Sequence, residues 1–194
     1  MKNGGIDRRI IKTKNSIRTA FKQLVQQKEM STISISELTK CANITRSTFY
    51  MYYNTVEDVR EEIENDIIND ITGSLSDADW LHFLANPYTI FKMFAEAIAQ
   101  QDENNRYILS SSNSGQLLNK INTKVTETIM DYIYTHDVDI ADPAKAKYIV
   151  AFVMAGTTEC FKLWFNHKST LTLEELCLRI SAMVKDALPL VKEL

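Results

Sequence analysis

The sequence predicts an all-α fold of about nine helices, and three observations carry that expectation. Only five Gly and three Pro occur in 194 residues, so the residues that punctuate turns are scarce and few loops are expected. Apolar residues return every three or four positions along most of the chain, the spacing of one helix face. No stretch alternates apolar and polar residues at the strand period, and no internal repeat appears.

A first amphipathic helix is predicted over residues 7–28. Ile10, Ile17, Phe21 and Leu24, with Ala20 and Val25 beside them, form its apolar stripe, and Lys and Arg form its outer face. Ser34-Ile35-Ser36-Glu37 is a capping-box pattern that opens a short second helix, about 35–42. Ala42-Asn43-Ile44 interrupts it, and Asn tolerates the left-handed conformation of a sharp exit. Thr45 is a good N-cap for a third short helix, about 46–52. Thr55-Val56-Glu57-Asp58 caps a fourth that runs to about Ile71 and ends near Gly73.

Five or so helices are predicted beyond it. Asn86-Pro87 opens one carrying Ile90, Phe91, Phe94, Ala97 and Ile98, and a short one lies around Arg106 to Leu109. The polar run from Ser110 to Gly115 reads as the clearest loop. Leu117, Leu118, Ile121, Val125, Ile129 and Ile133 mark a long helix to about His136. Asp142-Pro143 opens another, to about Lys168. Thr172 caps the last, with Leu176, Ile180, Val184, Leu188 and Val191 on one face.

Hydrophobic residues at 45% and charged residues at 24% are ordinary for a globular chain long enough to bury a core. Cys41, Cys160 and Cys177 are odd in number and show no metal-ligand spacing, while His82, His136 and His167 stand alone. A reduced, cytoplasmic protein without cofactor or metal is expected. No signal segment is evident, and the longest apolar run, Tyr148 to Gly156, is too short to span a bilayer, so no membrane partner is expected. Nor do Ser or Cys residues lie near a convincing base, so no catalytic site and no enzyme is expected.

The net charge of −3 hides a division. Residues 1–60 hold eleven Lys/Arg against five Asp/Glu, a net +6, and residues 61–194 hold eleven against twenty, a net −9. A basic head on an acidic body points to a polyanion partner for the head.

Two short helices joined by a tight turn in a basic unit suit placement of one helix in the DNA major groove. Ile33, Ile35, Leu38, Ala42, Ile44 and Phe49 are expected to form the small core that sets the helix angle. Thr45, Arg46, Ser47, Thr48, Tyr50 and Tyr52 are left facing outward, with hydroxyls, a guanidinium and phenols suited to phosphate and base-edge contacts. Ser34 and Ser36, at the start of the second helix, join them as expected DNA-binding residues. Arg46, the one long cation of the reading helix, is expected to reach a guanine edge or a phosphate.

The stretch Ser34 to Val59, SISELTKCANITRSTFYMYYNTVEDV, resembles the DNA-binding signature of the TetR/AcrR family of transcriptional regulators. The family's alanine-glycine-aliphatic turn is matched by Ala42-Asn43-Ile44. Its threonine-aromatic-tyrosine core is matched by Thr48-Phe49-Tyr50, and its histidine-phenylalanine pair by Tyr52-Tyr53. The resemblance implies a helix-turn-helix DNA-binding domain over 1–54, with the motif at about 34–53, and a ligand-sensing and dimerisation domain over 55–194. It implies a repressor that binds double-stranded DNA at a near-palindromic operator and is modulated there by an effector. One departure stands out: the family often places a phosphate-contacting lysine in the first turn of the fourth helix, and this chain has Val56. Backbone grip then falls to Tyr50, Tyr52, Ser34, Thr45, Ser47 and the first-helix cations, with Arg60 a candidate to compensate.

Homodimerisation is argued independently. Tyr148 to Gly156 is apolar all round a helix, so both faces need cover, one of them from a second subunit. Gly156 permits close approach, Phe161, Trp164 and Phe165 supply anchor area, and Phe152, Gly156, Phe161 and Trp164 are expected in or next to the interface. Phe91, Met93, Phe94, Tyr107, Met130, Tyr134, Phe152 and Met154 are candidates to line a pocket, although such residues at helical spacing also make plain core. The effector, small molecule or protein, stays open. The Gly156 and Trp164 spacing resembles the family branch that regulates dihydroxyacetone utilisation, in which the effector is a protein. An activator under a protein partner, or a helical interaction protein that binds no DNA, are the alternative readings.

Overall fold

A computed structural model describes residues 8–73, 86–101, 105, 108–109, 114–136, 143–166 and 170–187. Eight α-helices lie among the described residues: α1 (Arg8–Val25), α2 (Ile35–Cys41), α3 (Arg46–Tyr50), α4 (Val56–Gly73), α5 (Pro87–Gln100), α6 (Ser114–Thr135), α7 (Pro143–Asn166) and α8 (Leu173–Ala187). A 3-10 turn, Met30–Thr32, separates α1 from α2, and no strand occurs among the described residues. The all-α fold is as expected.

Local sequence accounts for most helix ends. Ser34 caps α2 with both arms of the capping box in place. Thr55 and Thr172 each accept a hydrogen bond from the amide three residues on, at 3.1 Å. In return, the Asp58 and Glu175 carboxylates accept the amides of Thr55 and Thr172. Pro87 stands in the first turn of α5, where its missing N–H costs nothing. Helix α1 stops at Val25, short of the expected residue 28, and closes on a turn in which the Gln27 and Lys28 amides share the Leu24 carbonyl. Ser114 and Gly115, expected in a loop, instead open α6. The rest of that loop, Ser110 to Asn113, lies outside the described residues, as do Arg106, Tyr107, Asp142, Leu188 and Val191. Ile108 and Leu109 of the short helix expected there are buried.

The chain divides into two compact units, Met1–Asp66 and Ile67–Leu194. The first extends past the expected boundary at residue 54 because α1 grips the start of α4. Lys14 Nζ lies 2.6 Å from the Glu62 carboxylate, and Arg18 reaches both Glu62 and Asp66. The core of this unit is Ile17, Ala20, Phe21 and Val25 of α1 with Ile33, Leu38, Phe49, Tyr53, Val59 and Ile63. Of the six residues expected there, Leu38 and Phe49 are fully buried, Ile33 is buried, and Ile35, Ala42 and Ile44 are half-buried.

In the second unit α8 packs on α5, α6 on α7, and α7 on α8. Leu176, Ile180 and Val184 of α8 are buried, as are Ile90, Phe91, Phe94 and Ile98 of α5. The Cys177 thiol donates to the Phe91 carbonyl at 3.3 Å, and burial pushes its pKa up to about 11. A reduced, structural cysteine follows.

Candidate nucleic-acid interface

Residues 34–53 form two short helices whose junction is set by one residue. Asn43 has φ 54°, the only non-glycine positive φ among the described residues. It ends α2 in a paired-bond exit: the Ile44 amide reaches the Thr39 carbonyl at 3.0 Å and the Asn43 amide reaches Lys40 at 3.2 Å. An Asn tolerates this left-handed conformation at lower cost than most residues, which explains how the chain turns sharply here without the glycine common in the family.

Helix α3 is anchored from beneath. Phe49 is fully buried, with Tyr50 edge-on to it at 5.7 Å and Tyr53 tilted against it at 5.8 Å. This fixes the roll of α3 and turns Thr45, Arg46, Ser47 and Tyr50 to solvent, with Thr48 half-buried. Thr45 caps the helix, accepting from the Thr48 amide at 3.1 Å, and its hydroxyl lies 2.8 Å from Ser47 Oγ and 2.9 Å from Thr48 Oγ1. The result is a close hydroxyl cluster beside Arg46. Tyr50 is 53% exposed, and Tyr52 is half-buried.

Ser34 and Ser36 differ. Both donors of Ser34 are committed to the Glu37 carboxylate, the hydroxyl at 2.6 Å and the amide at 3.1 Å. Lys28 also bonds that carboxylate at 2.8 Å. These bonds, Lys28 foremost, hold the Glu37 pKa down at about 2. A phosphate, which only accepts, would have to compete with Glu37 for Ser34. Ser36 is exposed and its hydroxyl has no partner among the described residues.

Charge pairing sorts the cations of this unit. Lys14, Arg18, Lys28 and Arg60 are all held by acids. Arg60 pairs with Glu57 and lies 3.7 Å from the buried Glu64, so it is not placed to replace the lysine that Val56 displaces. Arg8, Lys12, Lys40 and Arg46 have no acidic partner among the described residues. Tyr53 is buried beneath Lys14, whose Nζ lies 5.2 Å from the ring centre. Its hydroxyl has no hydrogen bond of good geometry, although burial first, and then the nearby Glu62 carboxylate, push its pKa up.

The expected interface residues of the second unit fall on two sides of α7. Tyr148 and Phe152 are 77% and 78% exposed, and Gly156 is exposed with nothing within 4 Å of where a Cβ would stand. Phe161 instead points into the protomer core, buried against Phe94 with ring centres 4.8 Å apart, so it cannot lie on the same face as Phe152. Trp164 is half-buried and donates its indole N–H to the Leu171 carbonyl at 2.8 Å. Sequence reasoning missed Leu163, Leu178 and Met183, exposed apolar residues on α7 and α8. The separate exposed stripe within each helix was the signal that could have found them.

The aromatic and Met candidates for a pocket do not converge. Phe91, Phe94 and Met130 are core, whereas Tyr134 and Phe152 lie on the surface. Helix α7 has the length and mean hydropathy of a membrane span over Ala144–Phe165, longer than the apolar run that the sequence emphasised.

The chain resembles known transcriptional regulators in sequence and in fold. A family model for the TetR-type transcriptional regulator C-terminal region matches residues 85–186. The uncharacterised HTH-type transcriptional regulator YxbF of Bacillus subtilis (strain 168) is 36% identical over 55 residues, a match covering 28% of this chain and 14% of that protein. Among solved structures, a TetR transcriptional regulator from Streptococcus agalactiae 2603V superposes with TM-score 0.65 at 24% identity, covering 92% of this chain and 96% of the other. A TetR/AcrR-type regulator from Aquifex aeolicus VF5 gives 0.57 at 19% identity, with coverages of 89% and 98%. The dihydroxyacetone kinase operon activator DhaS gives 0.53 at 23% identity, with coverages of 93% and 97%.

Proposed function

Because this chain belongs to the TetR family of transcriptional regulators, we propose that it is a homodimeric, cytoplasmic repressor that reads double-stranded DNA through α3. The observation that carries this reading is the outward face of α3. Arg46 and a cluster of hydroxyls are presented to solvent with no acidic partner among the described residues, on a helix whose roll Phe49 fixes. Arg46 is the base reader, by bidentate bonds to a guanine edge. Ser36, Thr45, Ser47, Thr48, Tyr50 and Tyr52 take phosphates and sugars and set the register. Ser34 contributes by holding α2 at its angle rather than by its own hydroxyl.

A single short helix reads only a few base pairs, so useful specificity needs two copies about 34–36 Å apart on a near-palindromic site. The proposed interface is the exposed apolar stripe Tyr148, Phe152, Gly156 and Leu163 with Leu178 and Met183 of α8. A second copy is the better cover for α7 than a bilayer. One side of α7 is already packed, through Ala146, Thr157, Thr158 and Phe161, as in a soluble bundle. The body then receives an effector that changes operator occupancy, either a small molecule or a protein.

The test is binding of the full chain to DNA selected from a random duplex pool. Arg46→Ala should lose affinity for the selected site and keep its affinity for random DNA. Equal losses on both would move Arg46 from base to backbone, and absence of any selected sequence would end the reading. Deleting the gene should raise transcription from promoters that the protein occupies; a fall would make it an activator.

A further inference from the structure

An open groove of about 600 Å³ runs along the first unit between α1 and the end of α2. From α1 it is lined by the polar row Arg8, Lys12, Asn15, Thr19 and Gln23, flanked by Ile11, Ser16 and Ala20, and across from them by Cys41 and Ala42. The residues of the polar row follow one another at three or four positions, so they form a single stripe about 22 Å long. Among the described residues, no acidic one lines the groove. On the opposite flank of the same helix, Lys14 and Arg18 are neutralised by Glu62 and Asp66, whereas Arg8 and Lys12 have no acidic partner among the described residues. The helix thus separates Arg8 and Lys12 from the paired Lys14 and Arg18, and places them in a concave channel where amides and hydroxyls are interspersed with Ile11, Ala20 and Ala42.

We propose that this groove is a second clamp on the DNA backbone, taking phosphodiesters that flank the stretch read by α3. The proposal rests on the DNA-binding reading above. Two features favour a polymer over a free anion. The groove is open and elongated rather than an enclosing pocket, and its cations and amides are strung out instead of converging on one point. It also ends at Ala42, three residues before Thr45, so a strand lying in it continues within about 11 Å towards the start of α3. The groove supplies the backbone grip that Val56 and the committed Arg60 do not.

The test uses the full chain with a fluorescent random-sequence duplex of about 30 base pairs, long enough for two heads. Affinity is measured against salt for wild type, for Arg8→Ala/Lys12→Ala, and for the charge-matched body variant Lys92→Ala/Lys185→Ala. The slope of log affinity against log salt should fall in the groove variant by about 0.9 for each phosphate released, with no change in the body variant. Cys41 is the second reporter, read in a Cys160→Ser background, because it is exposed in the groove while Cys160 is half-buried and Cys177 is buried. Duplex should slow maleimide capture of Cys41 in proportion to the fraction of protein bound. In the groove variant, held at saturating duplex, Cys41 should react as in free protein.

Equal slopes in the two double variants, or a Cys41 that stays reactive in the wild-type complex, overturns the clamp while leaving α3 reading intact. Protection of Cys41 by inorganic pyrophosphate but not by duplex assigns the groove to a free phosphate ligand and also overturns it. Failure of wild type to bind any duplex overturns the DNA-binding reading itself.

Discussion

Substituting Gly156 by Glu sets the stability of the protomer against the stability of the dimer. In the protomer, a Cβ at Gly156 meets nothing within 4 Å and the position is exposed, so the new side chain extends into solvent without a clash. Helix α7 also gains, since Gly in a helix interior costs about 1 kcal/mol relative to Ala and Glu costs less than half of that. The isolated protomer should therefore melt at the same temperature or slightly higher. In the proposed dimer the same carboxylate is placed between packed apolar helices, and two-fold symmetry places a second one on the other side. A buried charge without a partner costs several kcal/mol. Even about 4 kcal/mol for the pair raises the dimer dissociation constant by about three orders of magnitude, at 1.4 kcal/mol per decade. Sedimentation velocity at micromolar concentration should show a dimer for wild type and a monomer for Gly156→Glu, with unchanged helical circular dichroism. A variant that stayed dimeric would place the interface elsewhere. One that lost helical signal would show that Gly156 is needed by the protomer itself, against the geometry seen here.

Other expectations follow from the first unit. Arg46→Ala should cost about 1–3 kcal/mol on a selected site and relax preference at one base pair, whereas Tyr50→Phe should weaken all sequences alike; competition binding separates the two. Tyr53→Phe removes a buried hydroxyl that lacks a good hydrogen bond, so thermal unfolding should shift by zero to about 1 kcal/mol towards greater stability, and a clear loss would mean that the hydroxyl is bonded in solution. The pKa of Glu37 is depressed from 4.5 to about 2 in the folded chain, so its contribution is complete above pH 5 and lost as pH falls towards 2. Glu37→Gln should flatten that part of the stability–pH curve; an unchanged curve would mean that the Lys28 and Ser34 bonds do not form.

Much of the fold was legible because the relevant forces are local. Capping boxes at Ser34 and Thr172, Pro87 in a first turn and Asn43 at a left-handed exit are interactions between residues a few positions apart, and the sequence displays them directly. Helix ends without such signals are less legible: α1 ends at Val25 rather than at the expected residue 28, and α6 begins at Ser114, inside a run of polar residues that reads as loop. Phe161 shows a second limit. In a helix apolar all round, composition cannot say which aromatic turns inward, and only the contact with Phe94 on a helix distant in sequence decides it. Ser34 shows a third. A hydroxyl at a helix start looks the same in sequence whether it is free for phosphate or already committed to its own cap.

In the function proposed for this chain, α3 reads DNA as one half of a symmetric pair. Selection of bound duplexes from a random pool by the full chain, followed by sequencing, tests it most directly. Enrichment of inverted half-sites with centres one helical turn or a multiple of it apart is expected, lost at the guanine-contacting position when Arg46 is replaced by Ala. Enrichment of a single unpaired half-site, or of no sequence at all, would contradict it.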